Sequence, residues 1–345
     1  DVLGSRGLGD VYKRQIQDIA DKMGVSKSTV SKALNDAPDI SEALRKQVLE
    51  TAVALGYTKL RRYKKPTKKV CIIIEKENMR YQEPHHFAYD ILVGFRQMAE
   101  PAGFDVEIVP VDIKTQRSQH YDVFMLEHDY IGAFVVGFSL SDPWIQDFKI
   151  SRTPAVLFDN YIVGNPSTAY VGIDNEEGME LAVSYLAGLG HRKIAYLSSS
   201  LGARVLQARH AAFLRSMHQH GLKTSPAAIG CSYYLSECME KHLPRFLENG
   251  ITAIICNQDT LASATLTQCQ QLGFQIPDDI SIIGFDDLPI AACTSPPLTT
   301  IRQDRLELGK SGFFALSSLL NHIPISTYLL HAQLIQREST RKIPL

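Results

Sequence analysis

The 345-residue sequence contains no apolar run near the roughly 18 residues that a membrane span requires. Nor does it open on a Lys/Arg flank followed by an apolar stretch. Cysteine is sparse: six residues, at 71, 231, 238, 256, 269 and 293, with no CxxC spacing. That pattern fits neither a dense disulfide framework nor a zinc ligand set, so reduced thiols in a cytoplasmic protein without a metal site are expected. The chain also lacks G-x-S-x-G, G-x-x-x-x-G-K-[ST], H-E-x-x-H and a Rossmann glycine triplet after a strand. Gly137-Phe138-Ser139-Leu140-Ser141 comes nearest to the first of these and lacks the closing Gly. Nucleophilic, phosphate-loop and zinc chemistry are without their parts. The expectation is no enzyme, no catalytic residue and no cofactor.

Net charge is also small, −1, with 45% hydrophobic and 21% charged residues, as in a globular protein of two or three domains. The total conceals a split. Residues 1–15 carry +1, residues 16–69 carry +6 and residues 70–345 carry −8. A short basic module joined to a large acidic body points to a polyanionic partner for the front end alone. Residues 1–15 show no periodicity and read as a non-native extension, with Asp10-Val11-Tyr12-Lys13-Arg14-Gln15 looking like translated adapter sequence.

From Ile16 the pattern becomes helical. Ile19, Ala20 and Met23 share a face, and Gly24 supplies a helix stop. Ser26 then suits the N-cap of a second helix reaching about Leu34, with Val30, Ala33 and Leu34 inward. A third helix runs from Ser41 through Leu44, Val48, Ala52 and Leu55 to Gly56. The outward positions of the second helix are Lys27, Ser28, Ser31 and Lys32. Such cations and hydroxyls can reach base edges and phosphates in a major groove, although a solvated polar face has the same composition.

The segment Ile16 to Asn35, with its elements Asp18-Ile19-Ala20, Gly24-Val25-Ser26 and Thr29-Val30-Ser31, resembles the helix-turn-helix signature of the lactose-repressor (LacI/GalR) family. The resemblance implies a transcription regulator in which Lys27, Ser28 and Lys32 read bases and Ser26, Thr29, Ser31 and Asn35 position the phosphate backbone. The body matches the same family at Gly172-Ile173-Asp174-Asn175, Gly190 to Ala195, Asp259-x-x-Ala262, Pro277 to Asp287 and Pro296 to Ile301. It departs from the family in the linker. Seven of the twelve residues from Thr58 to Lys69 are Lys or Arg, but the family's Pro-Asn-x-x-Ala-x-x-Leu hinge pattern is missing. Leu60 is the aliphatic candidate for a minor-groove wedge, and a flexible basic tether fits the run equally well.

In the body, short apolar runs alternate with helical patterns, which argues for parallel sheets with crossover helices. Runs 70–74, 106–109, 133–136 and 155–158 read as strands of a first lobe, and 170–173, 193–197, 253–256 and 281–283 as strands of a second. The expected fold is a small all-α helix-turn-helix head on an α/β body, a two-lobed periplasmic-binding-protein-like core. Its domains would be 16–57 for the head, 58–69 for the linker, 70–169 with 299–326 for the first lobe, and 170–298 with 327–340 for the second.

Ligands of open α/β sheets sit beyond the carboxyl ends of strands. The resemblance implies that Arg209 and Asp286 contact a small-molecule effector, and a carboxylate beside a guanidinium suits the vicinal hydroxyls of a sugar or sugar derivative. Phe87, Asp174, Tyr233 (or Tyr234), Gln258 and Arg305 complete the candidates, with Asp159 and Asn160 as further ones. Arg305 stands where the family often has an aromatic residue, so a more negative ligand is expected. The reading is a homodimeric repressor-type protein that binds double-stranded operator DNA under allosteric control by that effector, with no membrane partner. The alternatives are a solute-binding protein without a regulatory role and a regulator that senses a non-sugar such as a nucleobase.

Overall fold

The computed structural model describes residues 15–57, 68–76 and 80–343. The extension expected over 1–15 and the linker with Leu60 therefore fall almost wholly outside the described residues. The head is three helices: α1 (15–23), α2 (Lys27–Leu34) and α3 (Glu42–Ala54). Local chemistry sets their ends. Gly24 takes φ +67 in the turn, Ser26 Oγ accepts from Thr29 N (3.0 Å), and Ser41 Oγ accepts from Leu44 N (3.3 Å). Ile19, Val30, Leu34, Val48 and Ala52 bury together as the spacing predicts.

The body begins with β1 (Lys69–Glu75), α4 (Phe87–Ala99), β2 (Asp105–Val111), α5 (Ile113–Ser118), α6 (Tyr121–Glu127), β3 (Ala133–Val136), α7 (Trp144–Asp147), β4 (Ala155–Phe158) and β5 (Thr168–Ile173). It continues with α8 (Asn175–Gly188), β6 (Ile194–Ser198), α9 (Arg204–Gln219), β7 (Ile229–Cys231), α10 (Leu235–Glu237), α11 (Leu243–Glu248), β8 (Ala253–Cys256), α12 (Asp259–Gln271) and β9 (Ser281–Asp286). The closing elements are α13 (Pro289–Cys293), β10 (Thr299–Arg302), α14 (Arg305–Leu320), β11 (Thr327–Leu330) and β12 (Gln333–Ile335). Two six-stranded sheets result, ordered β11-β5-β4-β3-β1-β2 and β12-β10-β9-β8-β6-β7. Every pair is parallel except β10 with β12. Central strands such as β1, buried from Val70 to Glu75, are apolar on both faces because helices cover both sides.

Strand pairing moves the lobe boundaries. Tyr170 to Ile173, assigned above to the second lobe, pair with Leu157 and Phe158 of β4 on one side and with β11 on the other, so β5 belongs to the first sheet. Conversely β10 pairs with β9 in the second sheet, and β11 returns to the first. The crossings thus fall near 174, 303 and 331 rather than 169, 298 and 326. A strand's own periodicity carries no information about which sheet it joins.

The first lobe is closed by α4 and α14, whose backbones touch. A methyl group at Gly94 would overlap the Leu306 carbonyl oxygen, and one at Gly309 the Ile91 carbonyl oxygen. The contact places the amino ends of both helices, with Asp90 and Arg305, at one edge of the lobe.

Candidate nucleic-acid interface and effector cleft

On the head, α2 buries Val30, Ala33 and Leu34 and turns its other side out. Lys27, Ser28 and Lys32 are exposed, Thr29 and Ser31 half-buried. Ser26 and Thr29 are linked through their hydroxyls (2.8 Å), and Asn35 Nδ2 donates to Ser31 O (2.7 Å) to close the carboxyl end. Ser26 and Asn35 thus spend their polar atoms shaping the helix ends. Lys32 is held by an ion pair with Asp39. The amino end of α2, its reading face and Lys27 point outward, the arrangement a major-groove helix requires.

In the body, β9 delivers Asp286 at its carboxyl end. One of its oxygens accepts from Gln303 Nε2 (2.5 Å) and lies 3.6 Å from Arg209 Nη1. Arg209, on α9 and 3% exposed, is clamped: its Nε donates to Asn175 Oδ1 (2.9 Å) and its Nη1 to the Asn257 carbonyl (2.7 Å). Its guanidinium also sits 3.7 Å over the Phe285 ring. From the other lobe, β4 delivers Asp159. Burial pushes that carboxyl up to about 7, with Arg209 pulling it down and Asp286 adding to the rise. Asp286 is raised to about 6, again by burial, against the pull of Arg209, Gln303 and Arg305. Asp286 of the second lobe thus pairs with the Arg209 guanidinium, and the Asp159 carboxyl of the first lobe feels both charges.

The cleft is short of partners for its polar atoms. Asp159 Oδ1, Asn160 Oδ1, Gln303 Oε1 and Arg305 Nη1 are sealed from solvent and have no hydrogen-bond partner among the described residues. All four lie at or just beyond the ends of β4 and β10. Three are acceptors and one is a donor, so the set complements a molecule rich in donors. Backbone strain gathers here too: Asp159, Asp286 and Asp287 take φ +59, +113 and +51. Asp259, pushed to about 8 by burial first and Asp286 next, differs in having both oxygens engaged, by Thr300 Oγ1 (2.6 Å) and Leu288 N (2.7 Å).

Comparison with known proteins bears on both regions. Residues 15–59 match the lacI family of bacterial regulatory proteins, and residues 183–340 match the periplasmic binding protein-like domain. The chain is 27% identical to the HTH-type transcriptional repressor PurR of Aliivibrio salmonicida, over 95% of this chain and 99% of that protein. The fold matches the transcriptional regulator CelR in complex with cellobiose (TM-score 0.69, 22% identity, 94% and 99% coverage). It also matches the lac repressor dimer bound to operator and the anti-inducer ONPF (TM-score 0.66, 21% identity, 94% and 98% coverage). The chain joins a LacI-family DNA-binding domain to a periplasmic-binding-protein-like domain.

The predicted site residues are not all gathered in one place. Arg209 and Asp286 meet, Arg305 is near enough to pull the Asp286 carboxyl down, and the Phe87 ring stands 6.0 Å from that of Phe158, the residue before Asp159. Asp174 does not join them: its Oδ1 accepts from Glu176 N (3.0 Å) and Glu177 N (3.1 Å) as the N-cap of α8. Gln258 occupies the N-cap position of α12 without a side-chain cap, while its neighbour Asn257 is fully buried and bonds Ser199 N and Oγ. Tyr233 stands 77% exposed against Tyr234. Arg305 is answered by Asp90 (2.8 Å), so its charge is already matched and gives no reason to expect a more negative ligand. Asn175, Asn257 and Phe285 were missed because each acts through the Arg209 side chain, and Gln303, which donates to Asp286, because it lies outside the matched motifs. Glu83, His85 and His86 lie together ahead of α4, where His86 Nδ1 accepts from Glu83 N (3.1 Å) and closes a turn. Among the described residues no helix is long and apolar enough to cross a membrane.

Proposed function

We propose that this regulator binds operator DNA as a homodimer through α2 and senses a small, uncharged polyhydroxylated effector held between its lobes. One observation carries the effector class: the sealed polar atoms of the cleft without a partner among the described residues are three acceptors to one donor, beside the Asp286–Arg209 pair. Hydroxyls of a sugar satisfy acceptors and carboxylates at once and leave a lone pair for Arg305 Nη1. An anion would meet Asp90, Asp159 and Asp286 together, at a cost that Arg209 and Arg305 do not offset. CelR, of the same fold, is known with cellobiose, which agrees with this class. Effector and operator are coupled because a ligand that bridges both lobes alters the angle between them and so the spacing of the heads.

The test has two parts. Duplex selected from a random pool by the purified protein should carry a pseudopalindrome of two half-sites, and a panel of neutral mono- and disaccharides, sugar acids and nucleobases should be scored by melting temperature. A rise with a neutral saccharide that also changes affinity for the selected duplex is expected. A rise confined to nucleobases or sugar acids would overturn the effector class, and failure to enrich any duplex would overturn the regulator.

A further inference from the structure

The head does not close its own core. Val123 and Leu126, from α6 of the first lobe, are 3% and 4% exposed and pack into the same cluster as Val48 and Ala52 of α3. They lie three residues apart and so share one face of α6, while Phe124 and Met125 point into the lobe's own core. Polar contacts frame this patch. Lys46 Nζ donates to the Ser118 carbonyl (2.9 Å), and a methyl group at Gly56 would run into the Arg152 guanidinium. The reading face of α2 lies elsewhere and stays exposed.

We propose that α6 is a docking surface for the DNA-reading head of the same chain, which holds α2 at a fixed orientation to the first lobe. Each side supplies what the other lacks. Two aliphatic side chains on one face of a surface helix are covered, and a three-helix unit of about 40 residues, marginal by itself, gains part of its core. If the chain regulates as proposed above, a turn of the first lobe carries the recognition helix with it by direct contact, independently of what the basic linker does. The docking itself is open to test without operator or effector, so its failure and that of the regulator reading are separate results.

The experiment is hydrogen–deuterium exchange of the full-length chain, wild type against Val123→Ser combined with Leu126→Gln. Peptides from α1 and α3 should exchange at least about tenfold faster in the variant while those from β1 and β3 keep their rates, since undocking leaves the head to open locally. Unchanged exchange in α1 and α3 with β1 and β3 intact overturns the proposal. Should β1 and β3 also exchange faster, the body has been damaged, and a Lys46→Cys, Ser118→Cys chain treated with a short bismaleimide decides. A 46–118 cross-link within one chain supports the docking, and its absence, or its occurrence only between two copies, overturns it.

Discussion

Replacing Asp159 by Asn should stabilise the ligand-free protein above neutral pH while weakening effector binding. Burial raises this carboxyl from 3.8 to about 7. Between those values the native state holds a proton that the unfolded chain has released, so stability falls as pH rises, by about 1.4 kcal/mol per unit, and levels off above 7. From pH 5 to 7 the loss amounts to about 3 kcal/mol. Asn has no proton to release, nearly the same shape, and tolerance for the φ of +59 that Asp159 adopts. Asp286 and Asp259 remain in both chains, so the difference between the two proteins isolates Asp159. Urea denaturation at pH 5, 6, 7 and 8 should show the advantage of Asn over Asp growing by about 3 kcal/mol between pH 5 and pH 8. Binding should move the other way: a charge-assisted hydrogen bond contributes about 1.5–3 kcal/mol, so the effector should bind on the order of 10- to 100-fold more weakly. Parallel pH profiles for the two proteins would refute the reasoning, because they would mean that Asp159 is not buried in the charged form.

Arg209→Met removes the partner of Asn175, of the Asn257 carbonyl and of Asp286, and should cost about 3–5 kcal/mol at pH 7, less at pH 5 where Asp286 takes up a proton. An equal loss at both pH values in urea denaturation would contradict this. Gly309→Ala pushes a methyl group into the Ile91 carbonyl and should lower stability by about 1–3 kcal/mol, so an unchanged melting temperature would deny the α4–α14 contact. On the head, Lys27→Ala should reduce the salt slope for a random-sequence duplex by about one, whereas Asp39→Asn frees Lys32 and should raise affinity for the same duplex a few-fold, as read by fluorescence anisotropy.

What was legible in the sequence follows from the range of the forces involved. The head was readable almost residue by residue, since Ser26, Ser41 and Gly24 act within one turn of themselves and the apolar spacing of α2 and α3 repeats locally. The sheets were readable as strands but not as partners: nothing in Tyr170-Val171-Gly172-Ile173 says that its neighbours are β4 and β11. Of the cleft, Arg209 and Asp286 were found through family resemblance, and their supports were not. Asp174 shows a signal that was available and went unused. Followed by Asn175-Glu176-Glu177, it has the form of an N-cap with acidic residues in the first turn, which predicts a carboxylate already engaged by backbone N–H groups.

The same contrast separates structural carboxylates from functional ones in this body. Asp174 and Asp259 each have their hydrogen bonds supplied by the chain, and Asp287 is shared between Arg302 (2.7 Å) and Arg337 (2.6 Å). Asp159 has a sealed oxygen with no partner among the described residues, and Asp286, at φ +113, sits in a backbone region that non-glycine residues seldom occupy. A fold shaped for stability alone has no use for buried carboxyls at the ends of β4 and β9 with strained backbone at both. On the proposed reading, a hydroxyl-rich molecule supplies the hydrogen bonds that Asp159, Asn160, Gln303 and Arg305 lack, so the free energy withheld from folding reappears as affinity for the closed cleft. The polar defects and the proposed allosteric coupling are then two aspects of one arrangement: what destabilises the empty cleft is what makes its closure depend on the effector.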